Sequence, residues 1–251
     1  MVVQEDGKII TQSLIGGTQL PFYLRCLKSL VTCCQDRIDL HLHSDGSLSQ
    51  EDKDSIYSEL DGTMVTITES SENTSRVLDC LQGRPNCQKF RKDSIWGIEF
   101  FDPIYAFPHE PISFYIDADI LFLRPFSGLF DRNQVKEGAI FLKDTQWDSY
   151  SFRPWHMLTG KKKPQVVEGI TTGLVFWDKE VIDWDYLEWF LGEHRLHQIS
   201  EWIMPTAQAG LANRCEAKTI SQRQITNLYP NAQIHEDTFG LHLIGSYGME
   251  W

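Results

Sequence analysis

Apolar residues fall along the chain in two alternating rhythms. Ile9 to Ile15 reads as a first buried strand, closed by Gly16-Gly17. Leu20 to Cys34 then carries apolar residues at the three-and-four spacing of a helix. Ile38 to His43 switches to a period of two, with Ile38, Leu40 and Leu42 on one side and Asp39, His41 and His43 on the other. That is a strand with one apolar face, and it predicts that the two histidines lie on a polar face near solvent. Glu51 to Leu60 predicts a short helix, Thr63 to Thr68 a strand, and about Ser75 to Phe101 a long helical region interrupted near Gly83-Arg84-Pro85-Asn86. Ile112 to Ile116, Gly138 to Leu142 and Gly173 to Trp177 predict further strands. Tyr186 to Leu191 and Trp202 to Ala212 predict helices, and Gln233 to Ile244 a short β region.

Strands alternating with helices imply an α/β fold with a central, largely parallel mixed sheet flanked by helices. No internal repeat and no Pro/Gly-rich linker divides the sequence, so residues 1–251 are expected to form one domain.

Composition narrows the classes. Hydrophobic residues are 41% and charged residues 23%, which predicts a packed core. The formal charge of −12 disfavours DNA, RNA and anionic membranes as partners. It also means that a polyphosphate ligand needs a metal, helix N-termini or a few placed cations to be held. The six cysteines form no CxxC pair, and a reduced, cytoplasmic protein is the simplest expectation. Zinc binding by Cys33, Cys34, His41 and His43 has the wrong spacing for the common sites. No secretory signal is read at the N-terminus, and no apolar run reaches the ~20 residues that span a bilayer. The longest, Ile112 to Phe126, is broken by Asp117, Asp119 and Arg124, so no integral membrane segment is expected.

One segment carries the chemistry. The apolar strand Pro111-Ile112-Ser113-Phe114-Tyr115-Ile116 runs straight into Asp117-Ala118-Asp119, followed by Ile120-Leu121-Phe122-Leu123-Arg124-Pro125-Phe126. Ligands of open α/β sheets bind beyond the carboxyl ends of the strands. Two carboxylates at such a tip need compensation, and a hard divalent cation such as Mg²⁺ or Mn²⁺ provides it. Ala118 between them leaves the approach open.

This segment resembles the DXD motif of the nucleotide-sugar glycosyltransferases with the GT-A fold, and both flanks of the acid pair share the likeness. The C-terminal Phe239-Gly240-Leu241-His242-Leu243-Ile244-Gly245-Ser246-Tyr247-Gly248 resembles their terminal His followed three residues later by Gly. The resemblance implies a single GT-A-like, Rossmann-like domain. It implies a metal-dependent glycosyltransferase that moves a sugar from a nucleotide-diphosphate donor to an acceptor the sequence does not name, with a UDP-sugar favoured over a GDP-sugar. It implies Asp117, Asp119 and His242 as ligands of Mn²⁺ or Mg²⁺, and Gly245 and Ser246 as donors to the diphosphate. The basic residue that often follows in that loop is replaced here by Met249, Glu250 and Trp251.

Other matches are carried over in the same way. Ser13, Leu14 and Ile15 stand where these enzymes line the nucleoside pocket, although a plain strand-to-helix turn explains the same residues. Lys92 stands where a cation often meets the donor, although an exposed helix face accounts for it just as well. Thr172 and Gly173 occupy the strand that often reads Asn-(Ser/Ala)-Gly, with Thr in place of the amide. Glu201 is the candidate for an acidic residue facing the reacting centre, with a solvated helix N-terminus as the plain alternative. Trp147, Tyr150, Phe152, Trp155 and His156 form a possible acceptor surface or simple core packing, and Lys161-Lys162-Lys163 a surface turn or a cationic flap. The alternatives are a non-catalytic nucleotide-sugar-binding protein and a sugar nucleotidyltransferase. The second is opposed by the lack of a basic residue before Arg25 in the first turn. A haloacid-dehalogenase-type phosphatase is opposed by the mid-chain position of the acid pair and by Ile120 after it.

Overall fold

The computed structural model describes residues 8–146, 150–153, 155 and 162–244. The first half is built as the hydrophobic rhythm predicts. Strand β1 (Ile9–Ile15) leads through a 3₁₀ turn into α1 (Leu20–Cys33), whose buried Leu20, Leu24, Leu27 and Leu30 form one stripe. β2 (Ile38–Ser44), α2 (Gln50–Glu59) and β3 (Val65–Glu69) follow. Ser49 and Asp52 form a reciprocal capping box that starts α2. The long helical region resolves into α3 (Ser70–Cys80), α4 (Pro85–Asp93) and α5 (Ile95–Ala106). Pro85 opens α4, where its missing N–H has no cost.

The second half holds β4 (Ile112–Ile116), β5 (Ile120–Phe122), α6 (Arg132–Val135), β6 (Gly138–Lys143), β7 (Ile170–Asp178), α7 (Trp184–Gly192), α8 (Ile203–Ala212), β8 (Glu216–Ile220), β9 (Ile225–Asn227) and β10 (Gly240–His242). Among the described residues, seven strands form one mixed sheet in the order β3-β2-β1-β4-β7-β6-β8. β7 runs antiparallel to both β4 and β6, and the other neighbours are parallel. A second sheet of β5, β10 and β9 stands at the carboxyl end of β4.

Two apolar layers sandwich the main sheet. On one face, the leucines of α1 pack with Ile38, Leu40, Leu42, Ile112, Phe114 and Ile116. On the other, Phe100 and Phe101 of α5 join Val175, Trp177, Tyr186, Phe190 and Leu211. Burial of each such side chain contributes roughly 1.5–3 kcal/mol. Arg91 of α4 forms a buried ion pair with Asp102 of α5 and donates to Ser70 O at 3.1 Å, locking three helices together.

The expectation of solvent-facing histidines on β2 is overturned. His41 and His43 are only 7% and 1% exposed, because α5 and Phe107 cover that face. Gln12 Nε2 donates to Pro103 O and Ser113 Oγ, which leaves its Oε1 to accept from His43 Nε2 at 3.1 Å. Burial, and then the neighbouring cations, hold both imidazole pKa values below the ordinary value. All six cysteines are free thiols. No described helix is long and apolar enough to cross a membrane.

Candidate functional site

β4 ends at Ile116, and the chain turns at once. Asp117 N donates to Gly173 O of β7 at 2.8 Å, and Ile120 N donates to Asp117 O at 3.3 Å. Both acids therefore sit on a tight turn between the main and small sheets. β10 pairs antiparallel with β5, placing His242 opposite Ile120, and Leu243 N donates to Asp119 O at 3.1 Å. This pairing brings the imidazole to the acids across more than a hundred residues of sequence. One ligand atom from each of Asp117, Asp119 and His242 lies within 4.8 Å of the others. His242 Nε2 is 3.4 Å from Asp119 Oδ1 and 3.9 Å from Asp117 Oδ2.

The imidazole is oriented from behind. β9 runs parallel to β10 with Asn227 level with His242. Asn227 Nδ2 donates to Lys143 O at 3.2 Å and to Asp144 Oδ1 at 3.3 Å, so its Oδ1 faces His242 Nδ1 at 3.1 Å. An oxygen there must accept, so Nδ1 carries the proton. Asp144 is in turn held by Tyr229 Oη and by the N–H groups of Thr145 and Gln146. In the neutral ring, Nε2 then points a lone pair at two carboxylates. Such a set of acceptors needs a proton or a cation at its centre.

The electrostatics agree. Asp119 Oδ1 is buried without a hydrogen-bond partner. Burial and the charge of Asp119 push the Asp117 carboxyl up to about 7, against the opposing pull of His242 and of Tyr115 Oη, which donates to Asp117 Oδ1 at 2.8 Å. Burial opposes a cationic His242, but the Asp119 and Asp117 charges outweigh it and raise its pKa. Two carboxylate oxygens and a neutral imidazole nitrogen suit Mn²⁺ or Mg²⁺, and a hydrogen-bonded second ring nitrogen is the usual support of a metal-binding histidine.

Two glycines make the approach possible. A Cβ on Gly173 would stand 2.2 Å from His242 Cε1, and one on Gly16 would stand 2.2 Å from Asp45 Oδ2. A cleft of about 250 Å³ opens on the acid pair and is lined by Leu14, Ile15, Gly16, Tyr23, Asp45, Ile95, Trp96, Glu99, Tyr115, Asp117, Ala118 and Asp119. No Lys or Arg is among them. The Asp45 end is braced by Ser47, whose N and Oγ both donate to Asp45 Oδ1 while Oγ accepts from Gly17 N.

The structure therefore brings together Leu14, Ile15, Asp117, Ala118, Asp119, Gly173 and His242 from the residues singled out in the sequence. Ser13 stands apart from the cleft. It is fully buried, and its Oγ donates to Ile116 O at 2.5 Å, holding β1 to β4. Lys92 is exposed in the last turn of α4 and does not line the cleft. Glu201 is exposed in the 3₁₀ turn ahead of α8 and does not line it either. Thr172 is half-buried on β7, beside Gly173 but off the cleft lining. Gly245 and Ser246 lie outside the described residues, as do Trp147, His156 and Lys161. Of the other aromatics, Phe152 is buried and stacks on Tyr150, whereas Trp155 is exposed. Lys162 Nζ lies 4.3 Å above the Trp189 ring.

Sequence reasoning passed over Asn227, Asp144, Glu99 and Tyr115. Tyr115 was within reach, because strand alternation puts it on the side of Asp117. Asn227 was not, because only the β9–β10 pairing reveals its place.

No family model matches the sequence, and no curated protein matches it. Solved structures do match in shape. The chain superposes on mouse xyloside xylosyltransferase 1 in its apo form with a TM-score of 0.67 and 11% identity, covering 94% of this chain and 97% of that one. It superposes on the galactosyltransferase LgtC, solved with donor and acceptor sugar analogues, with a TM-score of 0.59 and 12% identity over 95% and 88% of the two chains. The bifunctional glycosyltransferase WbbM matches with a TM-score of 0.56 and 9% identity, and 98% of this chain spans 47% of that one. At such identities the likeness is one of fold. The chain has the GT-A-type fold of these glycosyltransferases, with a seven-stranded mixed sheet and an Asp-Asp-His cluster where β4 ends.

Proposed function

We propose that the protein is a glycosyltransferase that takes a sugar from a nucleotide-diphosphate donor, with a divalent ion held by Asp117, Asp119 and His242. One observation carries this reading: His242 has its Nδ1 proton committed to Asn227, so its free Nε2 is aimed at two carboxylates, one with an unpartnered buried oxygen. The uncharged lining at Leu14, Ile15 and Gly16 suits a nucleoside, and among the described residues the cleft lining holds no basic side chain for the diphosphate. When bound, the ion would offset the negative charge that develops on the departing nucleoside diphosphate. The residues of the chain position the rest. The Asp turn is fixed by Gly173 O and the imidazole by Asn227, and the cleft wall that faces them is where the reacting sugar would be held. Mn²⁺ or Mg²⁺ as cofactor, a UDP-sugar as the favoured donor and a one-domain chain belong to the same proposal.

The test is a thermal-shift and turnover assay with UDP-, GDP- and ADP-sugars, each with and without Mn²⁺. A ligand at a hundred times its Kd adds about 2.7 kcal/mol of apparent stability. The expected outcome is a shift that requires both Mn²⁺ and nucleotide, accompanied by slow release of the nucleoside diphosphate. Asp119→Ala should remain folded and lose both. An unchanged shift and unchanged turnover in that variant reject the metal site, and tight binding with neither hydrolysis nor transfer makes the protein a binder instead.

A further inference from the structure

The cleft holds one group that the metal site does not use. Glu99 sits on α5 and is 8% exposed, and its carboxyl lines the cleft. Among the described residues it has no hydrogen-bond or ion-pair partner, and the charges that act on it are the like charges of Asp117 and Asp119. Its carboxyl opens onto the cleft, where a ligand can supply the partners that the protein leaves out. The hydroxyl of Tyr115, which lines the same cleft, is committed to Asp117 Oδ1 at 2.8 Å.

The described residues offer no three-ligand set for a second ion at Glu99. The cluster of ligand atoms within 4.8 Å comprises Asp117, Asp119 and His242 and leaves Glu99 out, and no other such cluster occurs among the described residues. The surroundings of Glu99 favour a neutral, polyhydroxylated ring. Trp96 lies three residues earlier, on the same side of α5, is 36% exposed, and lines the cleft with Ile95. An aromatic face beside an unpaired carboxylate offers a saccharide what it requires, a surface for its C–H groups and an acceptor for its hydroxyls.

We propose that Glu99 is the specificity-determining residue for the sugar of the donor, accepting hydrogen bonds from its ring hydroxyls while Trp96 supports the ring. The proposal rests on the nucleotide-sugar reading above and adds the residue that recognises the sugar. Glu99 transfers no proton in it.

The experiment compares affinities, by titration calorimetry in Mn²⁺, for UDP and for UDP-glucose, UDP-galactose and UDP-xylose. Wild type, Glu99→Gln and Glu99→Asp are measured, the second variant keeping the charge but shortening its reach. Glu99→Gln is expected to bind UDP within about twofold of wild type and to weaken the best UDP-sugar about tenfold or more, the size of a lost hydrogen bond to a charged group. Glu99→Asp should fall between. Equal changes for UDP and UDP-sugar would mean that Glu99 acts through the field at the metal site, and no change for either would make it a bystander; both overturn the proposal. Wild-type binding of UDP with Mn²⁺ tests the nucleotide reading by itself. If none of these nucleotides binds the wild type, that reading fails and the assignment of Glu99 fails with it.

Discussion

At the scale of the residue, the site is a problem of matching acceptors. His242 is fixed as the Nδ1–H tautomer because Asn227 has already spent its amide hydrogens on Lys143 O and Asp144. Asn227→Ala should therefore weaken Mn²⁺ binding about 10–100-fold, the usual effect of losing such a support. Asn227→Asp, which still offers an oxygen to Nδ1, should retain most of the affinity. Calorimetric titration with Mn²⁺ checks both, and an unaltered affinity in the alanine variant would sink the tautomer argument. A second consequence concerns the metal-free protein. Asp119 there carries a buried, unpartnered oxygen beside a second acid. Asp119→Asn should melt above the wild type without metal, by about 2–4 °C for each kcal/mol of relief in a chain of this size, and should lose the Mn²⁺ response. The proton also competes with the ion. With the Asp117 carboxyl pushed up to about 7, Mn²⁺ affinity should weaken steadily as pH falls below that value. A pH-independent affinity between 7 and 5.5, set as the working range on the basis that metal binding needs the deprotonated ligand, would contradict it.

At the scale of the element, β2 makes a claim about acid. His41 and His43 are held neutral by burial, which lowers the His41 pKa to about 4 and holds that of His43 well below its ordinary value. In the unfolded chain they titrate near 6.5. The unfolded state thus binds more protons in the interval below that value, so the stability these groups confer is fully present above pH ~6.5 and is lost as pH falls toward 4. Each contributes up to about 1.4 kcal/mol per pH unit. Urea denaturation from pH 7.5 to 5 of the wild type and a His41→Asn/His43→Gln variant should show a difference that shrinks on acidification. Asp117 and Glu99, whose raised pKa values act in the opposite sense, are common to both proteins and cancel. A constant difference would refute the buried neutral pair. The same strand shows what the sequence conveys. Its alternation identified the strand and the apolar face of Ile38, Leu40 and Leu42. Alternation cannot report that α5 covers the opposite face, because that depends on where a helix sixty residues away comes to rest. Short strands were lost for a related reason. β5 and β9 have three residues each, too few to establish a period, and exist because they pair with β10.

At the scale of the whole molecule, the Asp pair was legible because an apolar strand ending in two acids is a local pattern, and His242 because the C-terminal segment resembled a known one. Glu99 and Asn227 were not, since each is brought to the site by tertiary packing alone. That packing also bears on how the chain unfolds. The main sheet is shared by two apolar layers, and the Asp117, Asp119 and His242 cluster joins the end of β4 to β10 through β5. We expect residues 8–244 to behave as one cooperative unit, because loss of β10 takes His242 from the cluster and leaves β5, which packs on α1, without its strand partner, while loss of β4 removes the centre of the sheet. Heating followed by far-ultraviolet circular dichroism and by the emission of the eight tryptophans should give coincident transitions. Addition of Mn²⁺ with UDP should move both curves by the same amount, since a ligand bound only by the native state stabilises everything that unfolds with its site. Two separated transitions, with the ligand raising only one of them, would show instead that the strand order conceals two independent units and that the site belongs to one.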